Sequence, residues 1–185
     1  MANDNARPIS IRLIKLKDVL PLRRLHLSLD ENERFYYNPF SFNFIRITFT
    51  LLAVALTSEI LRMTRIVCPK VAFLAVVALE ESTRQYAGFN FLLLQRNAMG
   101  YKGELGIIVV RGFRELGVAS QLMEEIVILA RKAGINTIKL GVMEDNIAAK
   151  RLYAKFGFET IGREKVKTKG KYYYKSNMKL ELGEP

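Results

Sequence analysis

At 185 residues, with 50% apolar and 25% charged, the chain is long enough to bury a core and has the balance of a folded protein rather than a disordered one. Its one cysteine, Cys68, cannot form an internal disulfide, and with the one histidine, His26, it cannot complete a zinc site. Triad-type nucleophilic catalysis would have to rely on that same histidine, which sits in a leucine-rich stretch and reads as structural. The net charge is +11, and about half of the excess lies in residues 160–180, where Arg163, Lys165, Lys167, Lys169, Lys171, Lys175 and Lys179 are opposed only by Glu164.

The opening MANDNARP has no basic stretch leading into an apolar core, so it does not read as a secretory signal. With the lone thiol, this leads us to expect a cytoplasmic protein. Ile9, Ile11 and Leu13 alternate with Ser10 and Arg12, as in a strand. Asp18, a favoured N-cap residue, then opens a leucine-rich helix through Leu29. Residues 35–40 are rich in aromatics, and the most apolar run, 47–58, lies between Arg46 and Glu59. A membrane-spanning helix needs ~20 mostly apolar residues, so this run is too short and a buried helix within 35–66 is expected. Residues 71–79 read as a continuous buried strand and 86–94 as a second. A loop through Asn97 and Gly100 leads to a third strand at 104–110.

The period then changes. Val118, Leu122, Ile126 and Leu129 predict an amphipathic helix that stops at Gly134. Ile138, Leu140 and Val142 alternate again. Asn146 begins another helix, with Ala149, Leu152, Tyr153 and Phe156 on one face and Gly157 as its stop. The tail reads as two basic strands joined near Gly170. Its lysines suit an edge strand that repels edge-to-edge pairing; the other reading is a surface for a polyanion. The order βαα, three strands, then αβαββ predicts one α+β domain over residues 1–185.

Between the third strand and its helix lies Arg114-Glu115-Leu116-Gly117-Val118-Ala119. Such a junction suits an anion, because the first helical N–H groups lack intrahelical partners and the helix dipole is positive there. Small residues at Gly117 and Ala119 leave the backbone approachable, and Arg111 and Arg114 add positive charge.

The stretch IIVVRGFRELGVASQLM resembles the pyrophosphate-binding motif of the GNAT superfamily of N-acetyltransferases, Arg/Gln-x-x-Gly-x-Gly/Ala, at Arg114, Gly117 and Ala119. Downstream, NIAAKRLYAKFGFE is similar to the same family's second signature, through Asn146, Ala149, Leu152, Tyr153, Gly157 and Phe158. The resemblance covers residues 104–158 and implies a mixed, mostly antiparallel sheet of six to seven strands flanked by helices. It also implies that the sheet splays between the strands ending at Val110 and Val142. Acetyl-CoA is then the implied acyl donor, without a metal. Its pyrophosphate would meet the backbone of Arg114, Glu115, Leu116, Gly117, Val118, Ala119 and Ser120, and its pantetheine would add along Ile108, Val109 and Val110. Asn146 would hydrogen-bond the same arm, a role compatible with capping its helix, and Ala149 would border it. The N–H of Val109 or Val110 would polarise the thioester carbonyl.

By the same resemblance Tyr153 would protonate the leaving thiolate, for which a phenol of ordinary pKa ~10 is well matched. Glu104 is the candidate base, and Glu144 a second one. The sequence departs from the family at Arg111, where relatives often have proline, and at Glu115-Leu116, where they often have Gly-Lys/Arg; Glu115 puts a negative charge near the phosphates. The acceptor would be a primary amine of a peptide, protein or small molecule, attacking directly in a ternary complex. A CoA-binding regulatory or nucleic-acid-associated protein using the basic tail is the alternative, and a homodimer stays open.

Overall fold

The computed structural model describes residues 7–30, 33, 52, 55–56, 71–97, 100–168 and 170–183. Three α-helices and seven strands are defined among them: β1 (Ile9–Leu13), α1 (Val19–Leu27), β2 (Val71–Glu80), β3 (Tyr86–Asn97), β4 (Gly100–Val109), α2 (Val118–Lys132), β5 (Ile135–Met143), α3 (Ile147–Lys155), β6 (Glu159–Thr168) and β7 (Lys171–Glu181). Within the expected helix at 35–66, Leu52, Ala55 and Leu56 are helical and Ala55 is buried. Residues 35–40 and Cys68 lie outside the described residues.

The strands form one sheet in the order β1-β2-β3-β4-β5-β7-β6. Every neighbouring pair is antiparallel except β4 and β5. Strand β2 is apolar without alternation because both of its faces are covered. Leu74, Val76 and Ala78 pack with Leu122, Met123 and Ile126 of α2, whereas Ala75, Val77 and Leu79 pack with Val19 and Leu22 of α1. Fully burying one such aliphatic side chain contributes ~1.5–3 kcal/mol, so the two faces together dominate stability.

Asp18 departs from the sequence expectation. Its carboxylate does not cap α1; it is fully buried, takes two hydrogen bonds from the Arg12 guanidinium at 2.7 and 2.8 Å, and accepts from the Tyr86 hydroxyl at 2.6 Å and the Lys15 amide at 2.7 Å. A buried carboxylate needs this many partners, and Arg12 on β1 and Tyr86 on β3 lie within reach.

The β4–β5 ladder runs from Tyr101 and Ile135 only as far as Glu104 and Lys139. Past that point both strands continue, β4 to Val109 and β5 to Met143, with no pairing between them. The sheet is therefore split at its middle, as the expected splay requires. Two glycines end the helices that flank the split: Gly134 after α2 and Gly157 after α3, at φ 68° and 84°.

Candidate active site

The split opens into a cleft of about 570 Å³, floored by β4 and walled by β5, α3 and the start of α2. That size suits a small-molecule site. Each wall follows from a local feature of the chain.

After β4 the chain makes a 3-10 turn at Arg111–Phe113, and the Phe113 ring buries itself in the core and pins the turn. Glu115 and Gly117 then take left-handed conformations, at φ 64° and 77°, so that α2 starts abruptly at Val118. A Cβ on Gly117 would meet nothing within 4 Å, so the glycine is needed for its backbone angle and not for space. The first α-helical bond runs from the Gln121 N–H to the Gly117 carbonyl at 3.1 Å. The N–H groups of Val118, Ala119 and Ser120 precede it and lack intrahelical acceptors, and all three residues line the cleft. Arg114, Glu115 and Gly117 line it too, whereas Val110 and Leu116 do not; Leu116 points to solvent.

The two arginines expected to add charge here are already paired. Arg111 Nη2 lies 2.9 Å from Asp30 Oδ2, and Arg114 Nη2 lies 2.6 Å from Glu33 Oε1. Asp30 and Glu33 also cap one another, each side chain accepting the other's backbone N–H at 2.8 and 3.1 Å. Arg114 Nε donates to the Val109 carbonyl at 3.2 Å, which ties this cluster to the end of β4. Attraction for an anion at this turn therefore falls mainly to the backbone.

Along β4 the hydrogen-bond register separates two sets of amides. Val110 donates to the Ala87 carbonyl at 2.9 Å, so its N–H belongs to the sheet. Gly88 pairs with Val109 one step along, a position where antiparallel geometry turns the N–H and C=O away from the partner strand. The Val109 amide, and by the same alternation that of Ile107, therefore faces the split. Of the two amides the sequence left as alternatives, only that of Val109 is open to the cleft.

On the opposite wall Asn146 caps α3, its Oδ1 accepting the Ala149 N–H at 3.1 Å. Asn146, Ala149 and Tyr153 line the cleft from this helix. Tyr153 is 7% exposed and its ring packs 5.7 Å from that of Phe158. Glu104 lines the cleft from the last position at which β4 pairs with β5 and is exposed. Glu144 does not line it; its carboxylate is held by Arg163 and by the Ser176 hydroxyl.

The cleft holds residues that the sequence reading missed. Glu33 comes from the segment before the apolar run, where no motif marked it. Lys175 reaches in from β7 because Gly141 on β5 has no side chain; a Cβ there would lie 1.9 Å from Lys175 Cε. Lys175 Nζ meets Glu164 at 2.9 Å. Among the described residues, no cluster of three or more His, Cys, Asp or Glu could hold a metal ion, and no helix is long and apolar enough to cross a membrane.

The family model described as Acetyltransferase (GNAT) family matches residues 59–158, more than half of the chain. The chain belongs to the GNAT acetyltransferase family. No curated protein matches it in sequence. Among solved structures, GNAT proteins share the fold at low identity. The putative acetyltransferase yncA from Salmonella typhimurium, solved with acetyl-CoA, superposes at TM-score 0.75 with 17% identity, covering 96% of each chain. A phosphinothricin acetyltransferase from Sinorhizobium meliloti, in complex with acetyl-CoA, gives TM-score 0.74 and 17% identity over 95% of this chain and 89% of that one. A ribosomal-protein-S5-alanine acetyltransferase from Vibrio fischeri gives 0.72 and 13% over 94% and 93%. In this GNAT chain residues of both signature segments line the cleft, between Arg114 and Ser120 and between Asn146 and Tyr153.

Proposed function

We propose that this chain transfers the acetyl group of acetyl-CoA to a primary amine by direct attack within a ternary complex. One observation carries the reading: a sheet split after Glu104 and Lys139, whose open edge faces the bare N-terminus of α2 across one cleft. The N–H groups of Val118, Ala119 and Ser120 would hold the pyrophosphate of the donor. The Ile107 and Val109 backbone would pair with its pantetheine arm as an added strand, beside Asn146 and Ala149.

The Val109 N–H would receive the thioester oxygen as charge develops on it. Glu104 would take a proton from the acceptor ammonium, directly or through a water. The free amine then attacks the carbonyl carbon; the C–N bond forms, the C–S bond breaks, and the nitrogen gives its second proton to solvent. Tyr153 would give its phenolic proton to the departing sulfur and recover one from solvent. Lys175 enters the same cleft with its ammonium on Glu164, and an acceptor whose anionic group takes the place of Glu164 there would be held near its amine.

Two measurements test this. Acetyl-CoA should raise the melting temperature of the wild type. It should fail to do so for Ala119→Asp, whose carboxylate takes the phosphate position while still suiting a helix N-terminus. With a panel of amines, Lys175→Gln should raise KM for acid-bearing acceptors and leave neutral ones unchanged. A variant that loses both groups alike would remove the anionic preference. Equal acetyl-CoA stabilisation of wild type and Ala119→Asp would remove the site.

A further inference from the structure

Beyond the cleft, the last two strands carry a feature that acetyl transfer does not use. Strand β5 pairs with β7 from Thr137 and Glu181 to Met143 and Lys175, and the Glu144 N–H to the Tyr174 carbonyl at 2.9 Å is the last link. Farther out, β6 and β7 pair only with each other among the described residues, up to Thr168 and Lys171. A free two-stranded ribbon of this kind is marginal by itself, so its side chains must hold it.

One face of the ribbon is built in a regular way. Lys165 pairs with Tyr174 and Lys167 with Tyr172, and directly opposed residues share a face. The Arg163 guanidinium lies 3.8 Å from the Tyr174 ring centre, and the Lys165 and Lys167 ammoniums lie 4.2 and 5.6 Å from that of Tyr172. Arg163 is neutralised by Glu144, whereas Lys165 and Lys167 meet no carboxylate among the described residues. Glu164, paired with Lys175, is on the other face. Tyr172 and Tyr174 are 60% and 44% exposed.

Keeping an edge strand from aggregating calls for lysines but not for exposed aromatic rings beside them. Ordered cations interleaved with exposed rings are instead the elements of a single-strand platform. Cations spaced roughly 6.7 Å apart along a strand meet successive phosphates, and the rings receive bases of any sequence. An acidic peptide would use the charge and gain little from the rings. We propose that the outer face of the β6–β7 ribbon, through Lys165, Lys167, Tyr172 and Tyr174, binds single-stranded nucleic acid with little sequence preference. This surface is separate from the acetyl-transfer cleft.

The test is fluorescence anisotropy with labelled oligo-dT and oligo-U over a salt series, on the full chain. Binding should weaken with salt, and the double variant Lys165→Gln/Lys167→Gln should reduce the log–log salt slope by about 1.4, or about 0.7 for each phosphate that is no longer neutralised. Tyr172→Ala should weaken binding about fivefold or more with the slope unchanged. Arg131→Gln/Lys132→Gln, the same charge change at the end of α2, should leave the slope unchanged. Circular dichroism and the acetyl-CoA-induced melting shift check that each variant is folded. Three results would overturn the proposal. One is no salt-dependent binding by the wild type; another is equal losses in the ribbon and α2 variants. The third is competition by polyglutamate equal to that of oligonucleotide, with Tyr172→Ala neutral, which would make the ribbon an acidic-protein surface.

Discussion

Asp18 shows what a single residue type leaves open. Aspartate before a leucine-rich stretch fits an N-cap, but the residues that decide its role, Arg12 and Tyr86, are brought to it only by the sheet. Burial alone would push the Asp18 carboxyl up; hydrogen bonds from Arg12, Tyr86 and the Lys15 amide outweigh it and hold it below its ordinary value. Burial, with Asp18 adjacent, pushes the Tyr86 phenol up to about 12. The lowered carboxyl stabilises the fold fully above the ~3.9 of an unfolded aspartate and loses that contribution as pH falls through its folded value. The raised phenol contributes below the ~10 of an unfolded tyrosine and loses that as pH rises toward about 12. Melting temperature should therefore decline across that alkaline window, and Tyr86→Phe should lack this part of the decline. Asp18→Asn should cost about 3 kcal/mol in urea unfolding, the low end for a broken buried pair because Arg12 keeps some contact with water. Glu115 is the other residue out of pattern. It holds φ 64° where the family often has glycine, and it brings a negative charge to the start of α2. Glu115→Gly should stabilise the chain by about 0.5–1 kcal/mol and lower the KM for acetyl-CoA about two- to fivefold.

At the scale of elements, the signature segments were legible because their chemistry is local. An asparagine N-cap and two terminal glycines act within a turn of where they stand and were found as read, whereas Gly117, read for the space it leaves, is needed for its left-handed angle at the start of α2. Strand ends were less legible: β4 begins at Gly100, because Gly100–Gly103 extend by pairing with β3 rather than by their own propensity. Contacts that join distant elements were not legible at all. The capping pair Asp30 and Glu33 is latched to Arg111 and Arg114 across the fold, and nothing in the spacing of either pair announces the other. This latch couples the chain before the apolar segment to the turn that would receive pyrophosphate. Glu33→Gln should leave the cap's hydrogen bond while removing the charge. It should then lower the KM for acetyl-CoA, measured by thiol release, since Arg114 is released toward the phosphates. Gly141→Ala should act on another contact of this kind, displacing Lys175 and reproducing the acceptor effect of Lys175→Gln.

For the whole molecule, one parallel pairing in an otherwise antiparallel sheet is what makes the site. Antiparallel neighbours continue their ladders, while β4 and β5 part after Glu104 and Lys139 and leave backbone groups open between two helices. The βα order and the two ordered motifs made that architecture readable, since parallel neighbours need a crossover such as β4–α2–β5. The rest of the cleft was not readable, because Glu33 and Lys175 enter it from opposite ends of the chain. The most direct test of acetyl transfer is thiol release from acetyl-CoA against a panel of amines and peptides, for wild type and Tyr153→Phe, with acetyl-CoA affinity measured in parallel by calorimetry. The expected result is wild-type turnover with at least one amine class, a fall of about a hundredfold or more in kcat for Tyr153→Phe, and unchanged acetyl-CoA affinity. Undiminished turnover in Tyr153→Phe, or acetyl-CoA binding by the wild type with no amine consumed, would contradict it.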